Sequence, residues 1–398
     1  MPCADLIAKI RDEKGADAVS GLLPITADVK NPSSLVTMCQ MVQCLINCVG
    51  PFRYFGEPVV QAAIEGSCHY VDITGEPEFM ENMYLKYNDA AAAKGLRIVN
   101  ACGMDSIPAD IMTRHAAREF EKRFSGSKAT EVEQYWSVSG NGKGVAVHYG
   151  TWHSLVESMG NVGVLKRIRR ELKAKHGDQK VQYLGARQQR HTGPHHEGGA
   201  ISSWTLPFPG ADAAVVRRTQ QQLAASPAGE FESPVQYAVY FTVPEWYHVL
   251  LFMVFGSILS LLAGFQWGRQ LLLDYPGLFS MGVFSHEGPS AEQMAATTFA
   301  CTFKVSGYVQ RSDAFAGTAL RPDASLVFVM KGPEPGYVST SAMVVAAARA
   351  LVEHGGRQED KAVCGVLTPG TAFNSPAVAG QMLERLRERG IVVFEVQT

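Results

Sequence analysis

Three apolar strand, break and helix units follow one another between Leu45 and Asp110, and they constrain the fold more than any other stretch. The first is Leu45-Ile46-Asn47-Cys48-Val49-Gly50-Pro51-Phe52, with a helix predicted over Glu57 to Glu65. The second is Tyr70-Val71-Asp72-Ile73-Thr74-Gly75-Glu76-Pro77, with a helix over Glu78 to Lys94. The third is Ile98-Val99-Asn100-Ala101-Cys102-Gly103, then Asp105-Ser106-Ile107-Pro108-Ala109-Asp110 and a helix to Phe120. Short apolar strands separated by helices are buried on both faces, which predicts a parallel sheet. Right-handed crossovers bring the strand ends to one edge, and ligands of such sheets sit outside the carboxyl ends. Asn47, Gly50, Pro51, Thr74 to Glu76 and Gly103 to Ser106 are therefore expected to share one crevice.

Before these units, Ala4 to Lys14 has the spacing of an amphipathic helix, Leu22 to Asp28 is expected to be a short strand, and Asn31-Pro32-Ser33-Ser34 is expected to cap a helix. A dinucleotide fold should open on a strand, a Gly-rich turn and a helix N-terminus for the pyrophosphate. No G-x-G-x-x-G precedes Ala4, nor is there a residue placed to discriminate NAD from NADP. The expectation is a doubly wound parallel sheet entered partway. That fits a truncated gene product, a splice form or a protein that has lost cofactor binding.

At 398 residues, 46% hydrophobic and 19% charged, the chain can build two domain cores, and its net charge of -2 argues against a nucleic-acid partner. The eight cysteines form no C-x-x-C pair, so they are expected to be reduced thiols, with no zinc site and no disulfide framework. His191, His195 and His196 lack the spacing of a metal site. Asp72, Glu76 and Asp105 stand at strand ends. Each could act as an acid or base or bind an ammonium group, but the favoured expectation is that they cap the following helices. His148, Thr151, Trp152 and His153 form another polar cluster, either the source of a general acid or a loop with a tryptophan anchoring the core.

Lys166 to Lys175 is a basic helix, expected to be a solvated face or a contact for anionic headgroups. Residues 246–268 follow with about 23 positions free of Asp, Glu, Lys and Arg, or about 34 Å as a helix, flanked by Trp246, Tyr247 and Trp267. A full span would separate Val235 to Val243 from Phe299 to Val305, strands expected in one sheet. A monotopic helix dipping into one leaflet is therefore preferred over a span or a buried core or homodimer helix. Further strands are expected over Ser325 to Met330, Ala362 to Leu367 and Ile391 to Val396, with helices over Thr340 to Val352 and Met382 to Arg389.

The strings Asn47-Cys48-Val49-Gly50-Pro51-Phe52, Gly56-Glu57-Pro58, Tyr70 to Glu76 and Gly103 to Asp110 resemble the saccharopine dehydrogenase-like oxidoreductases. So do Gly150-Thr151-Trp152, Val216-Arg217-Arg218-Thr219-Gln220, Ser233 to Tyr237, Lys331-Gly332-Pro333-Glu334 and Thr368-Pro369-Gly370, in order along nearly the whole chain. The match is to the animal branch associated with lipid droplets and membranes, not to the lysine-pathway branch, and bacterial enoyl reductases of glycolipid synthesis look similar. The resemblance implies an α/β chain. Residues 1–124 would form a partial Rossmann-like domain lacking its first strand and Gly-rich loop. Residues 125–398 would form a second α/β domain with a mixed sheet, the apolar insertion 246–268 and a helix near 340–352 packing back on the first domain. It implies NAD or NADP as cofactor, with Asn47, Cys48, Val49, Gly50, Pro51, Gly75 and Glu76 facing the ribose and nicotinamide. No catalytic residue is implied. The expected activity is an NAD(P)-dependent oxidoreductase at a membrane or lipid-droplet surface facing the cytosol. The alternative is a non-catalytic surface protein that keeps the fold.

Overall fold

A computed structural model describes residues 3–190, 192–197, 201–225, 234–309, 321–354 and 363–397. Helix α1 (Cys3–Lys14) buries none of its residues. Helix α2 (Pro32–Gln40) starts as its sequence dictates: the Asn31 side chain accepts from the Ser34 N–H at 3.4 Å, and Pro32 fills the first turn, where its missing N–H costs nothing. Between them, Leu22 to Asp28 is not the expected strand. Leu22, Leu23 and Ile25 are exposed, and the stretch ends in a turn in which the Lys30 N–H donates to Asp28 at 2.9 Å. Among the described residues no strand lies beside it, and a lone extended segment has no ladder to join.

The three units form as expected. Strands β1 (Cys44–Asn47), β2 (His69–Asp72) and β3 (Arg97–Val99) pair in parallel, joined by α3 (Phe52–Glu65) and α4 (Pro77–Ala93). The Gly50–Pro51 peptide is cis. Helix α3 begins at Phe52, five residues before the predicted Glu57, because a distant side chain caps it, as described below. A π turn at Pro108–Met112 then leads into α5 (Thr113–Arg123). Val60, Tyr70, Met83 and Ile98 pack in the core on one side of the sheet.

The remainder builds a mixed sheet. In chain order it comprises β4 (Lys128–Ser139), β5 (Val147–His148), α6 (Tyr149–Gly160), α7 (Val162–His176), β6 (Pro194–Glu197), β7 (Ile201–Pro207), α8 (Asp212–Ala224) and β8 (Gln236–Val243). Then come α9 (Trp246–Ala263), α10 (Gln266–Asp274), α11 (Pro276–Phe279), β9 (Phe284–Ser285), α12 (Ala291–Ala296), β10 (Thr298–Tyr308) and β11 (Ala324–Pro333). The chain closes with α13 (Thr340–His354), β12 (Gly365–Leu367), α14 (Pro369–Ala372), α15 (Pro376–Glu388) and β13 (Val393–Gln397). The seven-stranded sheet runs β13-β11-β10-β4-β8-β7-β6, parallel only at β4 and β8, and β5 pairs with β9.

The two sheets share a core. Val71 and Val99 of the first and Phe303 and Met330 of the second pack in one cluster with Met343, Val344 and Leu351 of α13. Burying each such side chain contributes about 1.5–3 kcal/mol. The chain also crosses back: β12 pairs in parallel with β3, so the boundary expected at 124/125 does not assign every strand to its own half. The sequence around β12 is local to the second half, but its strand partner lies in the first and its outer edge is covered from both. Asn88 of α4 accepts from the Val366 N–H at 3.1 Å, and Gln222 of α8 donates to the Val366 carbonyl at 2.9 Å.

Helix α9 stands apart. Of its residues only Ala263 is buried, and among the described residues it is the one helix long and apolar enough to cross a membrane. It is held along its length. Phe252 meets Phe241 of β8 at 5.9 Å between ring centroids, and Leu259, Leu262 and Ala263 pack with Trp152, Val156 and Leu272 of α6 and α10. Strands β8 and β10, before and after it, lie in the same sheet.

Candidate functional site

The carboxyl ends of β1, β2 and β3 are tied together by one buried carboxylate. Asp72 Oδ1 accepts from the backbone N–H groups of Thr74 at 3.1 Å and Ala101 at 2.8 Å. Its Oδ2 accepts from the Tyr70 hydroxyl at 2.9 Å and Asn100 Nδ2 at 2.7 Å. Asn47 Nδ2 donates to the Tyr70 oxygen at 3.0 Å, and Asn47 Oδ1 accepts from the Val49 N–H at 3.0 Å. Ala101 is held at φ 62, a left-handed conformation that a β-carbon disfavours. Burial pushes Asp72 up to about 6 although its four donors pull the other way.

Glu76 does a different job. Its carboxylate accepts from the N–H groups of Phe52 and Arg53, both at 3.0 Å, and from the Ser154 hydroxyl at 2.9 Å. It caps α3, on the preceding crossover, and not the α4 that follows it. The α3 N-terminus is thus already filled by an anion and offers no phosphate site. Arg53 lies between Glu76, Glu78 and Glu157 at 3.7, 2.8 and 3.6 Å.

Asp105 is also not the helix cap expected. The π turn after it has no side-chain cap, and Asp105 Oδ2 accepts from the Ala211 N–H at 3.3 Å. Glycines frame it: a β-carbon on Gly75 would come within 2.9 Å of one carboxylate oxygen, and one on Gly210 within 2.5 Å of the other. Of the three strand-end carboxylates, Asp72 and Glu76 are saturated with donors, while Asp105 is lightly bonded and partly open. Burial pushes it up to about 7. Behind it Asp212 accepts from Trp136 Nε1 at 3.1 Å, and burial, then the charge of Asp105, hold Asp212 well above the usual range. Asp110 accepts from the Thr219 hydroxyl at 2.7 Å and the Gly370 N–H at 2.6 Å, and burial pushes it up to about 6.

Beside this group a cavity opens at the ends of β3 and β12, lined by Met80, Tyr84, Asn100, Val215, Arg218 and Thr368. Arg218 lies 4.8 Å over the Tyr84 ring and pairs with Glu81. Asn100 Oδ1 is buried without a partner among the described residues.

The structure therefore brings Asn47, Gly50, Gly75, Glu76 and Asp105 to one edge of the sheet, in differing states. Cys48, Val49, Gly50 and Gly75 are exposed, Pro51 is half-buried, and Asn47 and Glu76 are buried. Its chain neighbours aside, the atoms nearest to a β-carbon built on Gly50 are those of Phe52, at 3.6–3.9 Å, which leaves its backbone open to close approach.

In the other polar cluster, His148 Nδ1 accepts from the Gly150 N–H at 3.2 Å and caps the start of α6. Trp152 is buried and donates to the Leu272 carbonyl at 2.8 Å, and His153 faces Tyr54 and Tyr149. That is the core-anchoring arrangement. All eight cysteines are free thiols. Among the described residues no three His, Cys, Asp or Glu side chains are placed to hold a metal. His191 and the side chains of His195 and His196 lie outside the described residues. Asp110, Asp212, Trp136 and Arg53 were not singled out from the sequence, since their partners lie tens to hundreds of residues away. Arg218 and Thr219, like Asp110 and Thr368, carried a signal as parts of motif strings, without a role assigned to them.

The profile of the saccharopine dehydrogenase NADP binding domain matches residues 6–99. A saccharopine dehydrogenase-like oxidoreductase of Bos taurus is 37% identical over 92% of this chain and 80% of its own length. A lipid droplet localized protein of Caenorhabditis elegans is 29% identical over 94% of this chain and 85% of its own. Among solved structures, the apo saccharopine dehydrogenase (L-Glu forming) of Saccharomyces cerevisiae is similar with a TM-score of 0.53 at 12% identity, covering 96% of this chain and 92% of that one. The yeast likeness bears on the fold alone.

Proposed function

Because the chain belongs to the saccharopine dehydrogenase-like oxidoreductases, we propose that it is an NAD(P)-dependent oxidoreductase that works on the surface of a lipid droplet or membrane, facing the cytosol, on a lipid-borne substrate. The observation that carries this reading is the Asp72 clasp, which holds three strand ends so that the open backbone of Cys48 to Gly50, Gly75 and the Asp105 carboxyl converge. NAD or NADP, when bound, supplies or takes the hydride. Asn47, Cys48, Val49, Gly50, Pro51 and Gly75 form the wall toward ribose and nicotinamide, Glu76 positions that wall through α3, and Asp105 holds or releases the proton. Its raised pKa suits proton transfer near neutrality.

The lipid part rests on α9 and on α6. Helix α6 touches the crevice through Ser154 and Glu76 on one side and the apolar helices through Trp152 and Leu272 on the other. A helix held to the protein at both halves favours lying in the interface over crossing the bilayer. The Caenorhabditis relative, named for lipid-droplet localisation, supports the same setting.

Titration of the chain with NADPH and NADH by calorimetry tests the reading. Binding is expected, and Gly50→Val and Gly75→Val should weaken it by placing side chains in the crevice. No binding of either nucleotide favours the second reading, a non-catalytic lipid-surface protein. The filled α3 N-terminus and the uncovered α9 are the observations on its side.

A further inference from the structure

Resting on the lipid-surface reading, we propose that the chain selects anionic lipid through a two-part edge: the apolar corner between α9 and α10 enters the leaflet, and the basic start of α7 meets the headgroups. At the corner Phe265 and Trp267 stack with ring centroids 5.9 Å apart, and Trp267 is 63% and Leu261 66% exposed. Leu278, on α11, is 71% exposed. An aromatic pair at the rim of an apolar surface matches the depth at which tryptophan settles in a bilayer.

The basic element springs from the same corner. Gly160, the last residue of α6, sits so close that a β-carbon there would meet the Ala263 carbonyl at 2.7 Å and the Arg269 side chain at 2.7 Å. Helix α7 starts two residues later, so Lys166, Arg167 and Arg170 follow within about 15 Å of rise. All three are exposed. The other cations of the helix are occupied: Lys173 with Asp178 at 3.0 Å, Lys175 with Asp89 at 2.8 Å and Arg169 with Glu81 at 3.6 Å. Among the described residues Arg167 makes an exposed 3.8 Å pair with Glu171 and its charge also reaches Glu78, while Lys166 and Arg170 have no carboxylate within 4.0 Å. The nearest exposed acids along these two helices, Glu245 just before α9 and Asp274 at the end of α10, lie at the ends away from the corner. Positive charge beside an exposed apolar rim is complementary to an anionic bilayer and to nothing neutral.

Flotation of the full chain with vesicles tests this. One set is phosphatidylcholine alone, and the other contains phosphatidylserine. The wild type should bind both, the anionic set about a hundredfold more tightly, since each of the three cations near such a surface contributes about fivefold, and salt should erode the difference. Lys166→Glu/Arg167→Glu/Arg170→Glu should keep binding to phosphatidylcholine and lose the anionic preference, with an unchanged melting curve. Phe265→Ser/Trp267→Ser should weaken both. Equal binding of the wild type to both sets, or a preference kept by the triple variant, overturns the proposal while the lipid reading stands. Flotation with neither set overturns both, and a stable dimer in solution would then assign the α9 face to a second copy of the chain.

Discussion

Replacing Asp72 tests the clasp on which the crevice depends. In Asp72→Ala four donors lose their acceptor: the N–H groups of Thr74 and Ala101, the Tyr70 hydroxyl and Asn100 Nδ2. At roughly 1–3 kcal/mol for each stranded buried donor, the additive limit is about 4–12 kcal/mol. Water entering the vacated space satisfies part of this. The lost carboxylate also carried a penalty of its own. A shift from 3.8 to about 6 costs the ionised form about 3 kcal/mol at neutral pH, which either variant relieves. We expect Asp72→Ala to lose about 3–5 kcal/mol, at or beyond the usual range for one substitution. Asp72→Asn is different. Its oxygen can keep the two backbone donors, and Asn100 can turn its unpartnered Oδ1 toward the new amide. The Tyr70 hydroxyl, which already accepts from Asn47, then meets a second donor, and Asn100 Nδ2 turns to the side where Oδ1 had no partner. Two donors are thus stranded against four in Asp72→Ala, with the same relief of about 3 kcal/mol. The loss should stay under about 1 kcal/mol. Urea unfolding at neutral pH, followed by circular dichroism, reads the difference. Equal losses for the two variants, or a loss under about 1 kcal/mol for Asp72→Ala, would refute the clasp.

Two further outcomes follow from the same geometry. Asp72, Asp105 and Asp110 have folded-state pKa values of about 6, 7 and 6, above their ordinary 3.8. The folded chain holds these protons where the unfolded chain has lost them, so their contribution is full below about pH 4, falls as pH rises to about 7 and is level above. Urea midpoints measured across that window should decline less in Asp105→Asn than in the wild type, and an identical slope would count against the assignment. Glu76→Ala should cost about 2–4 kcal/mol by uncapping α3 and leaving Arg53 with less counter-charge, while Glu76→Gln should retain more than half of that. Thermal melts of the two variants make the comparison, and a surface-like loss in Glu76→Ala would oppose it.

What could be read from the sequence was the part governed by local rules. The units from Leu45 to Asp110 are visible because their strands are apolar throughout and their helices start at Pro77 or after a break. The Asn31 cap, the parallel first sheet, and the placing of β8 and β10 in one sheet follow from similar short-range signals. The misses share one cause, long-range partners. Helix α3 starts early because Glu76 reaches back to it across 24 residues. Asp105 looks like a cap until Ala211, 106 residues on, takes its carboxylate. Strand β12 joins β3 because Asn88 and Gln222 cover its edge, and no pattern inside Gly365–Leu367 encodes that. Leu22 to Asp28 has strand composition, but composition supplies no neighbour. The crevice residues of β1 were legible as a motif string, yet their division into exposed backbone and buried side chains needed the fold.

Hydrogen exchange with and without NADPH reports where the nucleotide sits as well as whether it binds, and so decides whether the crevice at the ends of β1, β2 and β3 is the cofactor site. Bound NADPH should slow exchange in Asn47 to Arg53, Thr74 to Glu76 and Gly103 to Ser106, with little change in β10 and β11. Slowing confined to other segments, or none at saturating nucleotide, would contradict the crevice as the cofactor site.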